Sequence, residues 1–356
     1  MRALFVSNAY AEPDARAKLR ALAGLGHTIA AVIPEQPGAD QSSEDLGVRL
    51  LPIPVRGDPG PRRTWDARAL KRALAGFAPE LVQLEEEPWS DVAARVAALA
   101  RRQGATLIQY TAETNPEPLA VLDRSRRARV LRRAAAIAAA NEIAAERVRT
   151  LRPDAPIVVV PQLGTAPPPP AAERAGGELA LAFVGRLLPS KGLDLLLRSL
   201  VHVHGDWTLT VVGTGPAQEA LEQLSARLGL ASRVRWLGAL PRTGLASVWA
   251  GINCLVLPAR TVPGQTESTG RMVLEAMSRG IPAVVSSSGA LPETVGHGGL
   301  VLPEDDEAAL RDALQRMHDE PEDRAALGAE ARRRVLAHYG PDAVARRTVE
   351  LWEAAR

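Results

Sequence analysis

The strongest constraint on how this chain folds is a rhythm in which short apolar runs alternate with amphipathic, helix-length stretches. In the first half Ala3–Ser7, Thr28–Ile33, Leu81–Leu84, Thr106–Tyr110, Ala135–Ala139 and Ile157–Val160 read as strands. Helices are predicted over Ala15–Leu25, Asp91–Gln103 and Ala120–Ala134, with Ser90 as the N-cap of the second. Apolar strands that each lead into a helix specify a parallel sheet covered on both faces.

Pro167–Pro170 interrupt this pattern, since four prolines continue neither a helix nor a central strand. The rhythm then restarts. Leu179–Val184, Thr208–Val212, Val234–Leu237, Ile252–Leu257 and Pro282–Ser286 read as strands, and Leu193–Val203 and Pro216–Leu228 as helices. A further helix closes over Glu275–Arg279, and a last one spans about Ala343–Ala354. A length of 356 residues suits two domains of roughly 150–180 residues each. The expected division is 1–164, a linker at 165–178, 179–340, and a C-terminal helix at 341–356 free to cross back to the first domain. The fold class is α/β, two Rossmann-like domains with parallel sheets facing a cleft.

A formal charge of +2 excludes a nucleic-acid partner driven by net charge. Arginines 124, 126, 127, 129, 132 and 133 crowd one helix. That helix is either a solvated face or a patch for an anionic membrane or lipid phosphate, and no aromatics are interleaved for nucleic acid. The one cysteine, Cys254, lies in an apolar run and reads as core. The opening strand is shorter than a signal peptide's apolar region, and no stretch approaches the roughly 18 apolar residues of a spanning helix. The expected location is therefore cytoplasmic, with peripheral contact at the inner membrane face left open.

Chemistry in such sheets sits at the carboxyl ends of strands. Gly185 ends one strand, and Arg186 and Lys191 follow it, a fork and a point charge suited to a diphosphate. Gly213 and Gly215 flank Thr214 after the next strand and let the backbone approach a ligand, although the full GxGxxG is missing. Glu267 and Glu275 stand eight residues apart, with Ser268, Thr269 and Gly270 predicted to open a helix whose N-terminus suits an anion. On a helix that spacing puts both carboxylates on roughly one face. Glu275 is set in an apolar neighbourhood where an unpaired carboxylate is costly. The Val234–Arg242 turn and the polar Ser286–Val295 stretch complete the set.

Arg186 with Lys191, Gly213–Pro216, Glu267 to Glu275 with Ala276-Met277, Gly280–Val285 and Gly289–Val295 follow one another as in the retaining GT4 glycosyltransferases of the GT-B fold, which this sequence resembles. The resemblance is strongest over Ala180–Leu302. It implies that Arg186 and Lys191 neutralise the donor diphosphate and that Glu275 holds the ribose hydroxyls. It also places Glu267, the first glutamate of an EX7E motif, near the transferred sugar. Ser268, Thr269 and Gly270 match backbone donors to the phosphate or sugar, and Leu240 falls near the base-binding turn. The implied donor is a UDP- or GDP-sugar, bound by the second domain with no cofactor and no metal. No Asp-x-Asp occurs to hold one.

The first domain, implied to bind the acceptor, departs more from the family. Ser7–Tyr10 replaces a Gly-Gly loop, and Tyr110–Pro116 stands where many relatives carry a histidine. Asn115 resembles the Asn of a bacterial subgroup, which also shows an acidic Pro-Trp box like Glu85–Trp89. Asn8, Glu87, Trp89, Glu113 and Asn115 are the acceptor-side candidates, for a carbohydrate, lipid-linked or small-molecule acceptor. The implied reaction transfers a sugar with retention, the diphosphate leaving and the acceptor arriving on one face. A nucleotide-sugar 2-epimerase, a sugar-phosphate synthase and a non-catalytic nucleotide-binding protein are the alternatives. A dehydrogenase is disfavoured by the missing glycine motif.

Overall fold

The computed structural model describes residues 1–35, 43–58, 60, 62–114, 118–168 and 178–356. It divides into two units, Met1–Ala166 together with Tyr339–Arg356, and Pro167–His338. Residues 169–177 of the expected linker lie outside the described residues.

The first unit is built on β1 (Arg2–Val6), β2 (Thr28–Pro34), β3 (Glu44–Asp45), β4 (Val48–Ile53), β7 (Leu81–Leu84), β8 (Thr106–Thr111), β9 (Ala136–Ala139) and β10 (Ile157–Val159). A small hairpin, β5 (Val55–Arg56) with β6 (Thr64–Trp65), stands apart. The sheet order is β10-β9-β8-β7-β1-β2-β4-β3, parallel except for β3. Side-chain alternation divides the core in two. Ala3, Phe5, Ile29, Ala31 and Ile33 pack with Leu19 and Leu22 of α1 (Ala17–Gly24) and with Val344, Leu351 and Trp352 of the C-terminal helix Pro341–Ala354. Leu4, Val6, Ala30 and Val32 pack with Leu70 and Leu74 of α2 (Ala67–Phe77) and Val92 and Val96 of α3 (Asp91–Arg102). Ser90 caps α3 through Ala93 N at 3.2 Å. Then come α4 (Val121–Arg133) and α5 (Glu142–Leu151), the latter capped by Asn141 through Ala144 N at 2.9 Å.

The second unit holds β11 (Leu179–Val184), β12 (Trp207–Val212), β13 (Val234–Trp236), β14 (Cys254–Leu257), β15 (Ala283–Ser286) and β16 (Gly299–Leu302). Their order is β13-β12-β11-β14-β15-β16, all parallel. Its helices are α6 (Leu193–Leu200), α7 (Gln218–Arg227), α8 (Arg242–Ala250), α9 (Arg271–Met277), α10 (Leu291–Val295), α11 (Glu307–Asp319) and α12 (Pro321–Arg334). Cys254 is fully buried, and burial pushes its thiol up to about 12.

Each sheet reverses its strand order once, between β1 and β7 and between β11 and β14. Such switch points open a crevice at the carboxyl ends of the strands. Among the described residues no helix is long and apolar enough to cross a membrane.

Candidate functional site

At the second unit's switch point the chain leaves β11 through Gly185 and the exposed Arg186. Gly185 N donates to Val212 O at 3.0 Å, and Gly213 N to Gly238 O at 2.8 Å. Three adjacent strand ends are thereby zipped together. Gly213 has φ 130°, and a Cβ there would run into the Gly185 carbonyl oxygen. Gly215 is equally confined, by Leu187 O. Their glycines therefore meet a packing requirement of this strand end.

A 3-10 turn, Pro189–Lys191, then lifts Lys191 beside Glu267, with which it forms an ion pair. Burial, and after it the neighbouring Arg186 guanidinium, hold the Lys191 ammonium below its ordinary value. Arg186, Lys191 and Glu267 thus share one locus. Glu267 also fixes its own loop, because Glu267 O accepts from Ala290 N at 2.8 Å and a Cβ at Gly289 would strike the same oxygen. Thr269 O accepts from Thr294 Oγ1 at 3.3 Å.

Helix α9 begins only at Arg271, with Gly270 as its left-handed N-cap (φ 56°). The expectation that Ser268–Gly270 open the helix and that Glu267 and Glu275 share a helical face is therefore corrected. A left-handed residue cannot continue a right-handed helix, so Glu267 and Ser268 lie in the loop ahead of it. Glu275 sits mid-helix with 6% of its surface exposed, and its Oε1 is 3.8 Å from Arg271 Nε. Leu240 lies half-buried in the turn before α8.

At the first unit's switch point Asn8 follows β1 and grips the residue after Glu85. Asn8 N and Nδ2 donate to the two oxygens of Glu86 at 2.5 and 2.9 Å, and Arg63 Nη1 donates to Asn8 Oδ1 at 3.0 Å. Glu85 turns inward and accepts from Lys18 Nζ at 2.5 Å, Tyr10 Oη at 2.5 Å and Gln83 Nε2 at 2.7 Å. Lys18 is fully buried; desolvation drives its ammonium down, opposed by Glu85. Glu87 accepts from Thr111 Oγ1 at 2.7 Å and Ala112 N at 2.9 Å. Burial pushes both Glu86 and Glu87 up to about 7, although their hydrogen bonds pull the other way. Glu113 pairs with Arg127 at 3.4 Å, and both line a cavity of about 250 Å³ with Pro88, Thr111, Leu131 and Val148. Trp89 is half-buried at its end of the loop. Asn115 lies outside the described residues.

Sequence reading passed over Glu86, Arg63, Lys18, and the Arg260–Asp194 pair (2.6 Å) behind Lys191. Arg260 had one legible cue, its place just beyond the strand Ile252–Leu257. Among the described residues no group of three His, Cys, Asp or Glu side chains is placed to hold a metal ion.

Residues 169–334 match the glycosyl transferases group 1 family, and residues 11–162 the glycosyl transferase 4-like domain. The chain belongs to the group 1, GT4-type glycosyltransferases. It is 31% identical over 180 residues to the GDP-mannose-dependent monoacylated alpha-(1-6)-phosphatidylinositol monomannoside mannosyltransferase of Corynebacterium glutamicum, 49% of this chain and 47% of that protein. The matched stretch thus spans about half the length of that relative. With the 2-deoxystreptamine glucosyltransferase of Streptomyces kanamyceticus it shares 28% identity over 352 residues, 85% of this chain and 88% of that protein. The fold of this GT4 chain is GT-B. Sucrose-phosphate synthase from Thermosynechococcus elongatus superposes with a TM-score of 0.76 at 20% identity, over 99% of this chain and 98% of that one. Anabaena HepE in complex with UDP and glucose superposes at 0.74 with 15% identity, over 99% and 100%.

Proposed function

We propose that this GT4 chain transfers a sugar from a UDP- or GDP-sugar to an acceptor hydroxyl, with retention and without a metal, in the synthesis of a bacterial glycan or glycolipid. The observation that carries the reading is the meeting of Arg186, Lys191 and Glu267 beyond β11. Two cations there match the charge that grows on a departing diphosphate, and fixed donors of this kind act without reorganising. Glu267 orients Lys191 and lies beside the sugar, while Glu275 receives the ribose hydroxyls. The GDP-mannose-dependent relative and the UDP complex of HepE agree with such a donor. The acceptor falls to the first unit, where Asn8, Glu86, Glu87, Trp89 and Glu113 cluster at strand ends. Its chemistry there is hydroxyl recognition by carboxylates.

Calorimetry with UDP and GDP tests the donor site. One of them binds, and Lys191→Ala and Glu275→Ala each weaken it at least tenfold, about 1.4 kcal/mol. Equal affinity in the variants rejects the assignment. Turnover persists in EDTA; a loss reversed by magnesium or manganese rejects metal independence.

The reading extends to peripheral contact with an anionic membrane through α4. Val121 and Leu122 are 70% and 72% exposed, and Arg124, Arg129 and Arg132 are exposed with no ion pair among the described residues. At 100° per residue, Val121, Leu122, Arg129 and Arg132 share the face opposite buried Val130 and Leu131. Burial and the charges of Arg101, Arg129 and Arg132 hold Arg133 below its ordinary value, the mark of cations crowded without counter-charge. An apolar tip followed by a cationic stripe suits anionic headgroups.

A further inference from the structure

We infer that Arg260 is a positioning residue of the donor site: it fixes the turn carrying Lys191 while contributing no direct bond to the diphosphate. The inference rests on the donor reading above.

Arg260 follows β14, directly across the switch point from β11. Its backbone N donates to Ser190 O at 2.7 Å. Its guanidinium donates through Nη1 to Pro189 O at 2.9 Å and to Asp194 Oδ1 at 2.6 Å, and through Nη2 to Asp194 Oδ2 at 3.0 Å. Nε pairs with Asp305. The two carbonyls precede Lys191, and Asp194 lies in the first turn of α6 just after it. One side chain therefore grips the chain on both sides of the reacting cation.

An arginine at a diphosphate site is ordinarily read as a phosphate ligand. Here each of the three guanidinium nitrogens donates to a protein acceptor, which engages four of the five N–H donors, and only 18% of the side chain is exposed. The fork geometry is what makes the grip, because a lysine's point charge cannot span Pro189 O and both oxygens of Asp194 together. The turn is also pressed onto the same segment by Gly192, at φ 71°, where a Cβ would run into Pro258 O. Ser190 Oγ donates to Gln265 Oε1 at 3.0 Å, so the stretch from Arg260 to Glu267 wraps the turn from one end to the other.

A double-mutant cycle tests this, using calorimetry with UDP and GDP on the full chain. Arg260→Lys weakens nucleotide binding on the order of tenfold, as expected when a contacting network is disturbed. In a Lys191→Ala background the same substitution adds little, because the residue it positions is gone. In turnover the KM for the sugar nucleotide rises, which a mere loss of folded protein does not cause. Asp194→Asn shows the same non-additivity and decides the matter if Arg260→Lys fails to give a cooperative melt. Unchanged affinity, or effects of Arg260→Lys and Lys191→Ala that simply add, overturn the positioning role alone. If the wild-type chain binds neither nucleotide, or Lys191→Ala binds as well as wild type, the donor reading falls and the inference with it.

Discussion

Glu85, Glu86 and Glu87 are identical in sequence and differ in everything that matters chemically. The strand end turns Glu85 into the core onto Lys18, gives Glu86 to Asn8, and aims Glu87 at Thr111. Glu86 and Glu87 are both pushed up to about 7 by burial. A carboxyl whose folded-state pKa exceeds its unfolded value, about 4.3, binds its proton more tightly when folded. Stability then falls as pH rises from about 4.5 to 7 and stays lower above it. Glu87→Gln keeps an acceptor for Ala112 N and a donor for the Thr111 hydroxyl, and it removes one of the two titrations. The variant is expected to match wild type at about pH 3.5, below the unfolded value, and to gain up to about 3 kcal/mol near pH 8, read from chemical unfolding at several pH values. An equal difference at both ends would sink the assignment of the shift to Glu87. The sequence carried Glu87 as a candidate and missed Glu86, because no local pattern tells which of three consecutive glutamates faces which element.

At the scale of elements, legibility followed hydrophobic contrast. Leu81–Leu84 and Leu179–Val184 are apolar runs with clear ends, and the structure has strands over the same residues. Helix α5 went unread because its alanines blur the 3.6-residue period, and α8 because Gly244 and Ser247 interrupt it. The α9 boundary was misplaced since the left-handed turn at Gly270 is a tertiary device, closed by Leu291, a Cβ at Gly270 standing 3.0 Å from its Cδ2. For α4 the run of arginines was plain, but their facing required the helix itself. Vesicles containing anionic lipid should co-sediment the protein, and neutral vesicles should not. Val121→Ser with Leu122→Ser, and separately Arg129→Glu with Arg132→Glu, are each expected to reduce binding severalfold. Each opposing arginine is worth about 1 kcal/mol near such a surface. Binding indifferent to both pairs removes α4 from the membrane.

The chain as a whole folds as two units, and its last helix belongs to the first. Trp352 is fully buried, and its Nε1 donates to Gln83 Oε1 at 2.6 Å, while Gln83 in turn donates to Glu85, the partner of Lys18. Its ring meets Phe5 at 6.0 Å and His27 at 5.4 Å between centroids. Residues more than three hundred positions apart therefore complete one core, which is why a local reading could assign the helix but not its partner. Trp352→Ala removes that ring and takes the indole donor from Gln83 Oε1, at an expected cost on the order of 3–5 kcal/mol, like other large core truncations. The damage is confined to the first unit, so calorimetric melting should resolve into two transitions with the first unit lower. A nucleoside diphosphate bound by the second unit raises only the upper transition, by about 2.7 kcal/mol at a hundredfold excess over Kd. A ligand shift of the lower transition would place the nucleotide in the first unit and reverse the assignment of donor and acceptor.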